Sequence, residues 1–278
     1  MAITEDVFLT ELEACAVRVQ DYLLQDRFRR RFHPKDIEEA ARLYVKAGGK
    51  RLRPAILLWS CGALGGDEEK AMPAAGTVEI FHTWTLVHDD IIDRDERRRG
   101  SATVHEQFRQ VALDRYRGIS SEEARHYGTS VAVLGGDVQH GWCVSMLSEL
   151  SRMNGIDARL TLELIHELDS SLLNLLVEGE LLDLQFSHEP IDRFKVEDIE
   201  DMLWKKTGVL YRYCAGAGAQ IALGRWDPEH EHVQALQEYA GRCGIAFQLQ
   251  DDVLGIVGDA DKLGKPVGSD IREGKRTT

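Results

Sequence analysis

Apolar residues recur at steps of three and four positions along most of the chain, which is the period of an amphipathic helix. Between residues 229 and 257 this spacing places one carboxylate on an otherwise apolar face, made of Val233, Leu236, Ala240, Cys243, Phe247, Asp251 and Leu254. Between residues 78 and 93 it joins Val78, His82, Thr85, Asp89 and Asp93. The pattern predicts two helices whose inward faces are interrupted by polar groups.

Further helices are predicted over residues 4–29, 35–47, 54–64, 121–152, 157–186 and 195–223. The alternation typical of strands is scarce, and the glycine-containing loops at 48–49, 65–66 and 224–228 are short. No linker rich in Pro, Gly or Ser divides the chain. We therefore expect one all-α domain over residues 1–278, a helical bundle around a central cavity where the two interrupted faces meet.

The composition narrows the class of protein. The chain has 34 Lys and Arg against 47 Asp and Glu, a formal net charge of -13, which argues against a surface that binds nucleic acid. No stretch approaches the roughly 18 apolar residues of a membrane span, and the first residues carry acids where a secretory signal is basic. The five cysteines form no CxxC pair and are typical of buried thiols in a reducing compartment. We expect a cytoplasmic protein.

Two pairs of aspartates are the candidate ligands for divalent cations. Asp89 and Asp93 are one helical turn apart, roughly 6 Å along the axis, so both can bind a divalent cation from one helix face. Taken alone, such a motif is more often a solvated run of charge at a helix end. Asp251 and Asp252 lie within an apolar face, where buried carboxylates are costly unless cations or donors compensate. Two inward acidic clusters together predict a shared metal site.

A basic loop precedes the helix that is predicted to begin near residue 54. Residues 46–54 read KAGGKRLRP, so Lys50, Arg51 and Arg53 follow two glycines. Exposed backbone amides together with Lys and Arg side chains suit a diphosphate group. A basic loop by itself is usually only solvated.

These motifs occur in the order and spacing of the trans-isoprenyl diphosphate synthases, which the chain resembles from residue 46 to its end. The resemblance is carried by GGKRLRP at 48–54, DDIID at 89–93 with RRG at 98–100, KT at 206–207, FQLQDD at 247–252 and GK at 264–265. Residues 82–88 (HTWTLVH) and 265–275 are most similar to archaeal-type geranylgeranyl diphosphate synthases.

The resemblance implies a short-chain trans-prenyltransferase that works as a homodimer. Such an enzyme condenses isopentenyl diphosphate with dimethylallyl, geranyl or farnesyl diphosphate and depends on magnesium, with three ions in each active site when substrate is bound. Matched residue by residue, the metal ligands are Asp89, Asp93 and Asp251, and the accessory carboxylates are Asp90 and Asp252. The residues for the allylic diphosphate are Arg98, Lys206 and Lys265, and those for isopentenyl diphosphate are Lys50, Arg53, His82 and Arg99. Thr207 and Gln248 lie beside the developing cation, and the late-loop lysine that helps to close the site is Lys275.

Two departures from the family's pattern stand out. The second acidic motif has Gly255 where the commoner form has a further aspartate, a feature that archaeal-type members share. The relatives also continue into further helices, so we expect this chain to lack the C-terminal helices of the domain.

The product is expected to be geranylgeranyl diphosphate, with farnesyl diphosphate as the alternative. Growth of the product should follow the helix back from Asp89, so the residues four and five positions earlier, Thr85 and Trp84, set its floor. An aromatic residue at the Trp84 position with a small Thr85 resembles twenty-carbon producers, although Trp84 could be ordinary core packing. A class I terpene cyclase is less favoured, because it binds only one diphosphate and has no use for a second anion site. A noncatalytic synthase subunit is less favoured, because its first acidic motif would be degraded, whereas the motif here is intact.

Overall fold

The computed structural model describes residues 4–190 and 193–257, and over these residues the chain is almost entirely helical. The helices are α1 (Glu5–Leu23), α2 (Asp26–Arg29), α3 (Lys35–Lys46), α4 (Leu52–Ala63), α5 (Glu68–Ile92), α6 (Val104–Arg115), α7 (Ser121–Leu147), α8 (Glu149–Asn154), α9 (Ala158–His166), α10 (Leu173–His188), α11 (Val196–Leu203), α12 (Val209–Leu223) and α13 (Glu231–Val257). The predicted all-α class is therefore confirmed.

One short hairpin joins α5 to α6. Its strands, β1 (Arg97–Arg98) and β2 (Ser101–Ala102), pair antiparallel with Arg97 opposite Ala102. Gly100 turns the chain with a φ of 77°, a backbone conformation that glycine adopts without strain. Neither the hairpin nor α6 was predicted, although Val104, Phe108 and Ala112 are buried at helical spacing.

Several predicted boundaries need correction. The helix expected over residues 4–29 breaks near residue 24 into α1 and α2, and the one expected over 121–152 breaks at Ser148. The helices predicted over 157–186 and 195–223 each contain a π-helical segment. These segments are Glu167–Leu172, between α9 and α10, and Trp204–Gly208, between α11 and α12. In the second segment the Trp204 ring fills the space above Gly208, where an added Cβ would come 2.6 Å from a ring atom.

The chain divides into two compact units. The first comprises Met1–Leu52 and Gly76–Met146, and the second comprises Arg53–Ala75 and Leu147–Thr278. In the first unit a core cluster joins α3, α5, α6 and α7 through side chains that include Tyr44, Val87 and Phe108. The expectation of a single domain around one cavity stays a prediction.

In the second unit α12 is the most deeply buried helix. Twelve of its fifteen residues are buried, and its centre reads AGAGA over residues 215–219. A Cβ at Gly218 would collide with the Leu57 carbonyl oxygen on α4, and one at Gly216 would collide with Gln237 on α13. Small residues therefore let α12 pack closely against both neighbours.

Among residues 4–190 and 193–257, none of the helices combines the length and the apolar character that a membrane crossing requires.

Candidate active site

The first acidic motif lies at the C-terminal end of α5, and its three aspartates have different surroundings. Asp90 is completely buried, whereas Asp89 and Asp93 are partly exposed. The backbone keeps the last turn intact past the helix end, since the Asp93 N–H donates to the Asp89 carbonyl at 2.8 Å. The helix thus presents Asp89 and Asp93 to solvent and directs Asp90 into the core of the first unit.

Arg98, on the hairpin that follows, binds two of these carboxylates. Its Nε donates to Asp90 Oδ1 at 2.6 Å, and its Nη2 donates to Asp89 Oδ2 at 2.9 Å. Burial raises the pKa of Asp90 to about 6, although the charge of Arg98 acts in the opposite direction. Burial by itself would lower the pKa of Arg98, but Asp90 and Asp89 raise it above its ordinary value. Arg98 therefore stays charged beside the motif.

The second oxygen of Asp90 accepts a hydrogen bond from the Tyr44 hydroxyl on α3. The same hydroxyl oxygen accepts a bond from the Val104 N–H at 3.2 Å. Burial and the neighbouring Asp90 raise the pKa of Tyr44 above its ordinary value, so the phenol keeps its proton. Sequence reasoning missed Tyr44, because a tyrosine on an apolar helix face carries no signal of its own.

The basic side chains of the loop at residues 46–54 differ in burial. Gly48 and Gly49 have φ values of 79° and 144°, and Arg51 has a φ of 52°. The Arg51 guanidinium is buried, pairs with Glu79 on α5 and donates to the Val45 carbonyl at 2.7 Å. Lys50, by contrast, is exposed. Arg51 therefore anchors the loop, whereas Lys50 remains accessible to an anionic ligand.

Arg99 closes over the same loop. It also has a positive φ, 51°, and its Nη1 donates to the Gly48 carbonyl oxygen. A Cβ at Gly49 would come 2.9 Å from the Arg99 guanidinium carbon. With a φ of 144°, position 49 favours glycine, and the bond to Gly48 places Arg99 against the loop that carries Lys50, a second predicted residue for isopentenyl diphosphate.

The predicted residues for product length lie on the same stretch of α5. The Thr85 hydroxyl donates to the His82 carbonyl at 2.7 Å, so it is engaged by its own helix. The Trp84 ring packs against other rings of the first unit, with centroids 5.1 Å from Phe81, 5.4 Å from His88 and 5.5 Å from His140 on α7.

In the second unit Lys206 is held by two carboxylates of α10. Its Nζ lies 2.6 Å from Asp183 Oδ2 and 3.0 Å from Glu180 Oε2. Because Lys206 is part of the π-helical segment and a Cβ at Gly179 would come 2.5 Å from its backbone nitrogen, the two helices are in close contact there. Glu180 and Asp183 were missed by sequence reasoning, although acids spaced three apart on a helix share a face.

The second acidic motif is linked to the same π-helical segment by side-chain hydrogen bonds. The Thr207 hydroxyl donates to Gln248 Oε1 at 3.1 Å, and Gln248 Nε2 donates to Asp252 Oδ1 at 3.0 Å. Asp252 is buried, whereas Asp251 is exposed. Arg53, on α4, places its guanidinium 4.7 Å from the Tyr211 ring centroid.

The predicted site residues thus fall into three sets. Those in the first unit are Lys50, His82, Trp84, Thr85, Asp89, Asp90, Asp93, Arg98 and Arg99, and those in the second are Arg53, Lys206, Thr207, Gln248, Asp251 and Asp252. Lys265 and Lys275 lie outside the described residues. Within each unit several members contact one another directly, and their individual roles stay predictions.

The exposed carboxylates fit magnesium by their chemistry. Carboxylate oxygens are the ligands that Mg²⁺ prefers, and the ion is usually bound by one or two carboxylates together with substrate phosphates and waters. Asp89 and Asp93 provide such a pair. No group of three or more His, Cys, Asp or Glu side chains in the described part of the chain is arranged to bind a metal ion. The pair of carboxylates by itself leaves the other coordination positions of a magnesium ion to phosphate oxygens and waters.

The family follows from comparison with known proteins. A family model described as "Polyprenyl synthetase" matches residues 34–278, so the chain belongs to the polyprenyl synthetase family. It is 38% identical over 239 residues to the short chain isoprenyl diphosphate synthase of Methanocaldococcus jannaschii, which covers 86% of this chain and 63% of the relative. It is also 38% identical over 243 residues to the geranylgeranyl diphosphate synthase of Saccharolobus solfataricus, with coverage of 87% and 65%. The chain thus spans less than two thirds of these curated relatives.

The fold agrees with this family. A crystal structure of geranylgeranyl pyrophosphate synthase from Corynebacterium glutamicum, complexed with isoprenyl diphosphate and magnesium, matches with a TM-score of 0.78. The two sequences are 30% identical, and the match covers 100% of this chain and 75% of the other.

Proposed function

We propose that this protein is a magnesium-dependent short-chain trans-prenyltransferase that condenses isopentenyl diphosphate with an allylic diphosphate. The observation that carries the proposal is the first acidic motif in a chain of the polyprenyl synthetase family. That motif has two partly exposed carboxylates one turn apart, with a charged arginine bound beside them. Such an arrangement suits a diphosphate that arrives with metal ions, because the arginine and the ions neutralise its charge.

The proposed magnesium ligands are Asp89 and Asp93 of the first unit and Asp251 of the second, with three ions in each site when substrate is bound. When bound, the ions stabilise the negative charge that develops on the departing diphosphate. Arg98 and Lys206 add fixed positive charge at the allylic diphosphate, and Lys265 is proposed to join them. Because Glu180 and Asp183 hold the ammonium group of Lys206, this charge is oriented before substrate arrives.

Isopentenyl diphosphate is proposed to bind to Lys50, Arg53, His82 and Arg99, with Lys275 helping to close the site. The double bond of this substrate then attacks the allylic carbon, and the released diphosphate accepts the final proton. Thr207 and Gln248 already share a hydrogen bond, so their oxygens have a defined orientation beside the developing cation. No side-chain nucleophile is needed for this reaction.

The proposed product is geranylgeranyl diphosphate, with farnesyl diphosphate as the alternative. The product name of the Saccharolobus solfataricus relative supports the twenty-carbon product. The packed position of the Trp84 ring against Phe81, His88 and His140 supports a floor of fixed depth. The starter is proposed to be dimethylallyl, geranyl or farnesyl diphosphate.

The decisive experiment gives purified protein magnesium and isopentenyl diphosphate with each allylic diphosphate in turn, followed by chromatography of the dephosphorylated products. A synthase consumes both substrates and lengthens the chain. Loss of the allylic substrate alone would indicate a terpene cyclase, and no turnover with any starter would indicate a noncatalytic subunit. The variant Asp89→Asn serves as the inactive control, because its amide lacks the charge that binds a cation.

We propose further that the protein is a cytoplasmic homodimer. Val177, Leu181 and Leu184 lie on one face of α10 and are all exposed in the single chain. A second copy of the chain would remove this apolar face from water, and the family resemblance implies pairing of subunits.

A further inference from the structure

Asp90 differs from its neighbours in the acidic motif because both of its carboxylate oxygens are already engaged within the protein. Oδ1 accepts from Arg98 Nε at 2.6 Å, and Oδ2 accepts from the Tyr44 hydroxyl. The side chain is 1% exposed, against 19% for Asp89. A buried carboxylate with two donors is held in one orientation, because losing either donor would leave a charged oxygen without compensation.

Tyr44 is itself fixed on several sides. The residue is 5% exposed and packs in the core cluster that contains Val87, Val104 and Phe108. Its hydroxyl oxygen accepts from the Val104 N–H at the first residue of α6, so the hydroxyl proton is directed to Asp90. The phenol thereby ties α3 to the end of α5 and to the start of α6, the two helices that flank the hairpin in sequence.

The hydrogen bonds from Tyr44 to Asp90 and from Arg98 to Asp90 fix the position of Arg98. While Nε is bound to Asp90, Nη2 of the same planar guanidinium reaches Asp89 Oδ2 at 2.9 Å. The rigid fork of an arginine couples these two bonds, since rotating one edge moves the other. The orientation of Asp90 therefore decides where the charged end of Arg98 lies relative to Asp89.

The structure assigns to Tyr44 the role of a positioning residue for the proposed allylic diphosphate site: it fixes Asp90 as the anchor of Arg98, so Asp90 does not act as a metal ligand. This inference rests on the proposed function and adds to it a residue outside the family motifs. It accounts for the different proposed roles of two chemically identical residues, Asp89 as a metal ligand and Asp90 as the anchor of Arg98. Groups that orient primary ligands are commonly worth about 10- to 100-fold in affinity or activity.

The test is the variant Tyr44→Phe, which removes the hydroxyl and keeps the ring that fills the core. A matched control is Tyr127→Phe, because the Tyr127 hydroxyl also donates to a carboxylate, Asp36 Oδ2, at 3.0 Å, away from the acidic motif. We expect Tyr44→Phe to lower kcat/KM for the allylic diphosphate about tenfold and to leave KM for isopentenyl diphosphate within about twofold. Tyr127→Phe should match the unchanged protein in both parameters.

A double-mutant cycle with Asp90→Asn separates positioning from general loosening. If Tyr44 acts through Asp90, the double variant should be no worse than Asp90→Asn alone. Additive losses, equal losses for the two substrates, or kinetics like those of Tyr127→Phe would each overturn the assignment. So would a Tyr44→Phe protein that has lost its helical circular dichroism, because the hydroxyl would then hold the fold itself.

Binding without turnover keeps the inference separable from the proposed function. Calorimetry of inorganic diphosphate with magnesium should show about tenfold weaker binding to Tyr44→Phe than to Tyr127→Phe. If the unchanged protein binds this ligand but makes no product, the proposed reaction is wrong while the positioning role is still measured. Equal affinities of the two variants would overturn the positioning role whatever the reaction proves to be.

Discussion

At the scale of single residues, identical side chains are distinguished by their partners. Lys205 and Lys206 are neighbours in one π-helical segment, yet they pair with different carboxylates. Lys205 lies between Glu178 and Asp201, whereas Lys206 lies between Glu180 and Asp183. The family resemblance assigns a role in substrate binding to Lys206 alone, so the pair offers a built-in comparison.

We expect Lys206→Ala to raise KM for the allylic diphosphate by about 10- to 100-fold, because a charge-assisted bond contributes roughly 1.5 to 3 kcal/mol. Its effect on KM for isopentenyl diphosphate should be small. Lys205→Ala is the matched control and should change both constants little. Steady-state kinetics with each substrate varied in turn measures this, and equal effects of the two variants would contradict the assignment of Lys206.

A second residue-scale prediction concerns the pH dependence of stability. Burial raises the pKa of Glu167 from 4.5 to about 7, although the charge of Arg212 acts in the opposite direction. The folded state therefore holds this proton more tightly than the unfolded state. The resulting contribution to stability is complete below pH 4.5 and is lost as the pH rises through about 7.

Glu167→Gln removes this titration, so the variant should gain stability relative to the unchanged protein at pH 8, by about 1 to 2 kcal/mol, and gain little at pH 4.5. Urea unfolding at the two pH values measures the difference. Glu163→Gln, one turn earlier in the same helical run, is the control. A gain of equal size at both pH values would show that Glu167 does not titrate in this way.

At the scale of helices, the periodicity of apolar residues predicted most of the described elements because helix formation depends on residues three and four positions apart. The π-helical segments were not predicted, since they depend on packing between helices, such as the Trp204 ring against Gly208 and Gly241. The close approach of α12 to α4 is a second feature of this kind.

Gly218→Ala tests that approach. Alanine favours a helix over glycine by up to about 1 kcal/mol, yet here its Cβ would collide with the Leu57 carbonyl, and overpacking typically costs about 1 to 3 kcal/mol. We expect net destabilisation. Gly141→Ala on α7 is the control, because a Cβ there meets nothing within 4 Å and should stabilise the protein. Thermal unfolding of both variants measures the contrast, and stabilisation by both would contradict the close packing of α12.

The pairing of α5 with α7 leads to a prediction about product length. The Trp84 ring contacts His140 across these helices, so Trp84→Ala removes the bulk that is proposed to form the floor. The vacated space should admit a longer isoprenoid tail, and the product should gain at least one five-carbon unit. Chromatography of the dephosphorylated products decides this. An unchanged product from a folded variant would place the floor elsewhere.

At the scale of the whole molecule, the exposed apolar face of α10 is a surface at which two copies of the chain are proposed to pair. If two copies cover Val177, Leu181 and Leu184, light scattering at micromolar concentration should give the mass of a dimer, about twice 31.3 kDa. Leu181→Glu should shift the protein towards the monomer, because a charge buried between subunits is costly. Leu162→Glu, at an exposed leucine of α9, is the comparison. A monomeric mass for the unchanged protein would contradict the proposed assembly.

By itself the sequence determined the all-helical class, the family and the positions of its charged motifs, because these depend on residues that are close in the chain. It could not tell Asp89 from Asp90, or Lys50 from Arg51, since each pair has the same kind of side chain in the same motif. Tertiary structure decided both. Tyr44 reaches Asp90 across 46 positions, and Glu79 reaches Arg51 across 28. Burial and pairing come from such distant contacts, so only the folded chain shows which charges remain accessible to a ligand.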